Sequence, residues 1–268
     1  MAELKIQARM LSVLLAASVL VTGCDALSSA PTYSGLSVAG FNYTPYNLDR
    51  FVVTDKYGNR ASGGGDLMPG AGEGRLSCCY KLKGTEFTVT WNVVDQDEFL
   101  KDPYGPLPEI HKTAHVHFPP TKIKGDLGER VLGLHFYPDD HVEFEFRTDL
   151  GGTRIFYSTI DSWLLKKQGK TFKDTMEDWV AFRRTARIAS EGWTKYRLTD
   201  TQDLQQYVYY TLLVNPNFDQ HPAIQKIIAE TSDKPGAFGA AMANLPEPMV
   251  EALRRKKFEP TATEENHG

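Results

Sequence analysis

The sequence predicts an α+β fold, with an antiparallel, β-rich and sandwich-like N-terminal half followed by a helical C-terminal half. Three observations predict it. From residue 36 to about 157, apolar side chains recur mostly at every second position between clusters of turn residues, the period of strands with one buried face. After residue 158 the apolar period lengthens to that of an amphipathic helix, with helix-start signals ahead of the runs. Strands followed by helices, rather than alternating with them, favour an antiparallel sheet over a doubly wound parallel one.

Ahead of this fold lies a leader. Lys5 and Arg9 precede an apolar run of Met10, Leu11, Val13, Leu14, Leu15, Ala16, Ala17, Val19, Leu20 and Val21. The run is too short for a stable membrane-spanning helix, which needs roughly 20 apolar residues, and it has the order of a signal peptide. It closes on Leu20-Val21-Thr22-Gly23-Cys24, which resembles the bacterial lipobox. Residues 1–23 are therefore expected to be removed, and Cys24 to become the lipid-bearing first residue of the mature protein. A diacylglyceryl group plus an amide-linked acyl chain exceeds the single chain that binds membranes only marginally. By resemblance to enterobacterial lipoproteins, Asp25 favours retention in the inner membrane. Loss of Lys5, Arg9 and Glu3 moves the formal charge from −4 to −5, which gives no electrostatic reason to hold nucleic acid. Residues 25–34 read as a short polar tether. No later segment approaches the roughly 18 consecutive apolar residues of a second span.

The clearest strand is 87–94, with Phe87, Val89, Trp91 and Val93 on one face, expected in the core, and Thr88, Thr90 and Asn92 on the other. Further strands are expected over 36–43, 50–54, 77–82, 115–118, 131–137 and 141–147, the last two joined by the turn signal Pro138-Asp139-Asp140. Gly63, Gly64, Gly65, Gly70, Gly72 and Gly74 make 61–74 read as a flexible loop, and Pro103, Pro106 and Pro108 mark 95–108 as a second long connection. In the helical region, 159–258, Thr171-x-x-Asp174 and Thr199-x-x-Gln202 resemble capping boxes. The first precedes Met176, Trp179 and Val180; the second precedes Leu204, Val208, Thr211 and Leu212 on one helical face. Pro222 fits a first helical turn ahead of Ile224, Ile227 and Ile228, and a last helix over 248–257 ends in Arg254, Arg255, Lys256 and Lys257. Residues 259–268 read as a disordered tail.

Five of the seven histidines fall between positions 111 and 141. His111-x-x-x-His115 has zincin spacing, but Lys112 stands where the general-base Glu belongs and the flanks read as strand. Alternation sets Val116 and Phe118, then Leu132, Leu134 and Phe136, then Val142, Phe144 and Phe146 toward a core. That leaves His115, His117, His135 and His141, with Glu143 and Glu145, on the solvated face, and no metal or other cofactor is expected. Cys78 and Cys79 remain once Cys24 is lipidated. Adjacent Cα atoms lie ~3.8 Å apart, below the usual disulfide range, so geometry opposes a vicinal bridge while an oxidising compartment favours it. A disulfide and two reduced, mostly buried thiols both stay open. Nucleophile-elbow, P-loop and dinucleotide fingerprints are missing, so an enzyme is not expected.

Gly40-Phe41-Asn42-Tyr43-Thr44, Phe51-Val52-Val53, the glycine-rich stretch, Ser77-Cys78-Cys79-Tyr80-Lys81-Leu82 and Val89-Thr90-Trp91 occur in that order. The combination resembles a family of uncharacterised bacterial lipoproteins similar to immunity proteins encoded beside type VI secretion lipase effectors. The family's Leu-Pro step and Trp-x-Pro-Gly turn after the Cys pair are replaced by Leu82-Lys83-Gly84-Thr85. The resemblance implies a periplasmic, membrane-anchored protein that binds and neutralises a secreted phospholipase. Tethering suits such an inhibitor, because it concentrates the protein where the toxin works. Tyr43, Tyr46, Arg50, Phe51 and Tyr57 are the candidate contacts, aromatic and arginine side chains being the usual anchors of interfaces. Two other functions fit the same residues: an envelope-assembly or adaptor lipoprotein, and a metal-dependent periplasmic enzyme using His115, His117, His135 or Glu143.

Overall fold

The structure is a computed structural model, and it describes residues 30–123, 125, 126, 129–173 and 178–255. The lipobox, Cys24, Asp174 of the first capping box and the tail 259–268 lie outside the described residues. Eight strands come first: β1 (Thr32–Asn42), β2 (Asn47–Asp55), β3 (Arg60–Leu67), β4 (Gly72–Lys83), β5 (Glu86–Val94), β6 (Glu109–His117), β7 (Val131–Phe136) and β8 (Val142–Arg147). A short helix, α1 (Gln96–Lys101), interrupts the β5–β6 connection. The helical half holds α2 (Tyr157–Lys173), α3 (Asp178–Tyr196), α4 (Thr201–Leu213), α5 (Pro222–Thr231), α6 (Ala237–Ala243) and α7 (Glu247–Arg255).

The strands form two four-stranded sheets, ordered β4-β1-β7-β8 and β3-β2-β5-β6. Pairing is antiparallel except between β1 and β7, which run parallel. Parallel neighbours need a long crossover, and here the whole of the second sheet is inserted between them. The sheets enclose one apolar core, to which the first contributes Leu36, Val38, Leu132, Leu134, Phe136 and Phe144 and the second Phe51, Val53, Phe87, Val89, Trp91 and Val93. This is the sandwich that period two predicts, with the four expected residues of β5 inside.

A third layer decides the rest. The opposite face of the β4-β1-β7-β8 sheet presents Ala39, Phe41 and Val131, and these pack against Ile160, Leu164, Ala181, Ala186, Ala189 and Val208 from α2, α3 and α4. That sheet is therefore covered on both faces, whereas the outer face of the other sheet carries Arg50, Thr88, Thr90, Asn92, His111 and His115. The distal helices close a smaller core of their own around Tyr207, Phe218, Phe238 and Leu253. Asp200, not Thr199, caps α4, its side chain accepting from Gln202 N–H, and Pro222 opens α5 as its position predicts.

The glycine-rich stretch is not a flexible loop: most of it forms β3 and the start of β4. Its glycines make room for aromatic rings. Gly63 pairs with Phe51, and a Cβ at Gly63 would lie 2.6 Å from Phe51 Cζ; one at Gly72 would lie 2.5 Å from Phe41 Cδ1. Gly64 has φ +122° and passes so close to β2 that a Cβ would meet Asp49 O at 2.4 Å, beside the register shift between Leu48 and Arg50. Gly63→Ala is expected to destabilise the fold by about 1–3 kcal/mol, since the buried Phe51 ring has nowhere to move. A lower urea midpoint at unchanged m-value checks this.

Candidate functional site

The covered face of the first sheet carries a dense polar cluster, and His135 is its centre. Along β7, Leu132, Leu134 and Phe136 take the sandwich side, so His135 falls on the helix side, where it is fully buried. This corrects the expectation of a solvated His135. Its imidazole stacks on Phe41, ring centroids 4.7 Å apart, and on Tyr43. Nε2 lies 2.9 Å from Glu145 Oε2, and Nδ1 lies 2.9 Å from the Tyr43 hydroxyl. An ionised carboxylate only accepts, which assigns the proton to Nε2; Nδ1 then accepts from Tyr43 O–H. The same hydroxyl oxygen accepts from the Arg154 backbone N–H at 2.8 Å.

The Arg154 side chain completes the cluster. Its guanidinium is hydrogen-bonded to Glu143 and donates to the Tyr137 hydroxyl at 2.8 Å, with Glu145 3.4 Å away. Burial, aided by the charge of Arg154, lowers the His135 pKa from its ordinary value to about 4, so the ring is neutral at pH 7. Burial raises the Tyr43 hydroxyl and tends to raise Glu143 and Glu145 as well. For both carboxylates hydrogen bonds, from Arg154 to Glu143 and from His135 to Glu145, prevail and hold them below the usual range. Behind the cluster, the Tyr43 carbonyl accepts from Tyr157 O–H at 2.8 Å and Ser190 O–H at 3.1 Å, which fastens α2 and α3 to the end of β1. Both ring nitrogens of His135 and the Tyr43 hydroxyl are partnered, so the arrangement acts as a clamp between layers. Sequence reasoning missed Tyr137, Glu145 and Arg154 as partners, because no local pattern links the end of β7, β8 and the 148–156 connection to Tyr43.

His115 and His117 lie on the open face of the other sheet, hydrogen-bonded to Thr88 and Glu86. The sandwich core separates them from His135 and Glu143, so the proposed ligand set is not brought together. No group of three or more His, Cys, Asp or Glu side chains among the described residues is placed to hold a metal ion.

The five contact candidates do not form one patch either. Tyr43 belongs to the clamp and Phe51 to the sandwich core, both fully buried, because period two turns them inward; neither is a surface contact. Tyr46 is half-buried beneath Lys112, whose Nζ lies 5.6 Å from the ring centroid. Arg50 is exposed and pairs with Glu109 at 3.9 Å. Tyr57 is exposed at the far end of β2, roughly 30 Å of extended chain from Tyr46. Asn42, in the Asn-Tyr-Thr motif, holds the turn after β1 together: its amide donates to Tyr46 O and Leu67 O while its oxygen accepts from Thr44. Cys78 and Cys79 are free thiols, and both are exposed rather than mostly buried. They sit on an edge strand where β4 advances from Ser77 to Tyr80 while β1 advances only from Val38 to Leu36, a bulge that turns them out of the ladder.

A different surface collects several exposed apolar side chains. The β5–β6 connection carries Leu100, Tyr104 and Leu107, with Ile110 following at the start of β6, and Tyr104 is wholly exposed. The start of the connection is anchored. Asp95 caps α1 by accepting from Asp97 N–H at 3.0 Å, and Arg183 Nε donates to Asp97 at 2.8 Å. Arg187 adds a second ion pair to Asp97 at 2.8 Å, and Pro103, Pro106 and Pro108 restrict the backbone that follows. No helix among the described residues is long and apolar enough to cross a membrane. Compared with protein-family models, curated proteins and solved structures, the chain matches none of them.

Proposed function

We propose that the protein is a lipid-anchored periplasmic immunity lipoprotein that binds and neutralises a type VI secretion phospholipase effector. The observation that carries this proposal is the apolar tip of the β5–β6 connection, where Tyr104 and Leu107 project into solvent from a proline-rich backbone whose preceding helix is anchored by ion pairs at Asp97. Pre-organised aromatic and aliphatic side chains lower the entropy cost of association, as an inhibitor that must act at once requires. Arg50, paired with Glu109 at the start of β6, borders the tip and remains a contact in this proposal; Tyr43 and Phe51 do not. In this proposal the buried His135 chain is structural, tying β7 and β8 to the end of β1.

The test is co-purification of the mature chain with the product of an adjacent lipase-like gene. Formation of a complex that suppresses phospholipase activity at equimolar ratio is the expected result. A complex that leaves the lipase active points to an adaptor, and no complex ends the proposal. Tyr104→Ala combined with Leu107→Ala is expected to weaken the complex on the order of 30-fold or more, as loss of interface anchors does, with the melting temperature unchanged.

A further inference from the structure

The fold emerges from its tether at one defined end of the sandwich, and the chemistry of that end differs from the rest. Gly84 N–H donates to Pro31 O at 2.8 Å and Thr32 pairs with Lys83, so the chain leaves β1 directly beside the β4–β5 turn. The β2–β3 turn shares this end. The buried Asp55 carboxylate accepts from Lys83 N–H at 2.7 Å, Tyr57 N–H at 2.8 Å and Asn59 N–H at 2.9 Å, which locks the two turns together. On this platform Tyr57 is 48% exposed, with Lys83 Nζ 4.6 Å and Lys56 Nζ 5.3 Å from its ring centroid. Lys81 and Arg60 are exposed on the adjoining strands, and the nearby acidic Glu86 is engaged by His117.

From Cys24 to Thr32 the chain has eight steps, a reach of at most about 28 Å when fully extended. A folded body on so short a leash stays against the membrane that holds it. An amphipathic ring flanked by flexible ammonium groups suits the headgroup layer, where the ring sits at the interface and the amines meet phosphates.

We propose that this end of the sandwich, through Lys56, Tyr57 and Lys83, rests on anionic phospholipid headgroups and fixes the orientation of the anchored protein. The inference rests on lipidation at Cys24. The pairing of Glu86 with His117 at this end and of Val94 with Glu109 at the other puts the β5–β6 tip about 26 Å farther from the bilayer. Tyr57 thus serves the membrane rather than the effector.

The test uses the full lipoprotein, purified after processing in cells and reconstituted in vesicles of phosphatidylcholine alone or with phosphatidylglycerol. A water-soluble amine-acylating reagent then maps each lysine by mass spectrometry. In the anionic vesicles, acylation of Lys56 and Lys83 is expected to fall about fivefold, the factor that corresponds to the interaction of one lysine with an anionic surface. Lys101 at the tip should be unchanged, and high salt should restore labelling. Equal labelling of Lys56 and Lys101 on protein that floats with the vesicles overturns the orientation while leaving the anchor intact. Protection of the same degree without vesicles overturns it as well. Failure to float, with a Cys24 peptide of unmodified mass, overturns the anchor and this inference together.

Discussion

Replacing Phe51 by alanine is expected to destabilise the protein by about 3–5 kcal/mol, the usual cost of deleting a buried aromatic ring. The ring is fully buried, tilts against Phe136 at 5.2 Å between centroids, and covers Gly40 and Gly63 from two strands. The loss is not made good by the neighbours, because the glycines that admit the ring supply no atoms to fill its place. The effects at Phe51 and Gly63 should therefore be strongly non-additive. Gly63→Ala destabilises the native chain but is expected to be neutral or stabilising when Phe51 is already alanine, since the new methyl group enters the cavity. Urea unfolding of the two single variants and the double variant measures the coupling. If Phe51→Ala instead leaves stability intact and abolishes effector binding, Phe51 is a contact residue and the core assignment is wrong.

Lowering the pH from neutral to about 4 is expected to remove about 3 kcal/mol of stability through His135 alone. The sign follows from the direction of the shift. The unfolded histidine takes up its proton near pH 6.5, whereas the buried ring resists until about 4, so between those values the unfolded chain binds more protons and stability falls with pH. The geometry gives the reason. A proton on Nδ1 would face the Tyr43 hydroxyl, which already accepts from Arg154 N–H and would have to give up its own donated bond. The depressed carboxylates Glu143, Glu145 and Asp139 add a separate loss at lower pH, as the solution falls through their folded-state values. His135→Gln is expected to lower stability at pH 7, where the stack on Phe41 is lost, yet to flatten the slope between pH 6.5 and 4. Guanidinium midpoints taken across that window for both proteins decide the matter. Parallel slopes would mean that His135 is not the titrating group.

The strands were largely legible because a period of two needs only neighbours along the chain to be recognised. All seven strands expected from alternation are present, and the Pro138-Asp139-Asp140 turn joins β7 to β8 as expected. β3 was not legible. Gly63, Gly64 and Gly65 carry no side chain from which a face can be read, and the cause of their presence, the rings of Phe51 and the close passage of Asp49, lies on another strand. α1 was missed for a similar reason, since six residues just ahead of a proline-rich stretch show no helical period and its anchors, Arg183 and Arg187, stand far along the chain.

By itself, the sequence determined the α+β class, the order of strands before helices, the sandwich-facing set on β5, β7 and β8, and the polar character of the face that carries His115 and His117. Each follows from local alternation and local turn chemistry. Only the tertiary structure decided that α2, α3 and α4 cover the second face of the β4-β1-β7-β8 sheet. Alternation sorts side chains into two faces, but whether the polar face meets water or another layer depends on contacts between distant segments. That is why His135, read as solvated, is buried with Tyr43, Glu145 and Arg154, and why two aromatic contact candidates turned out to be core.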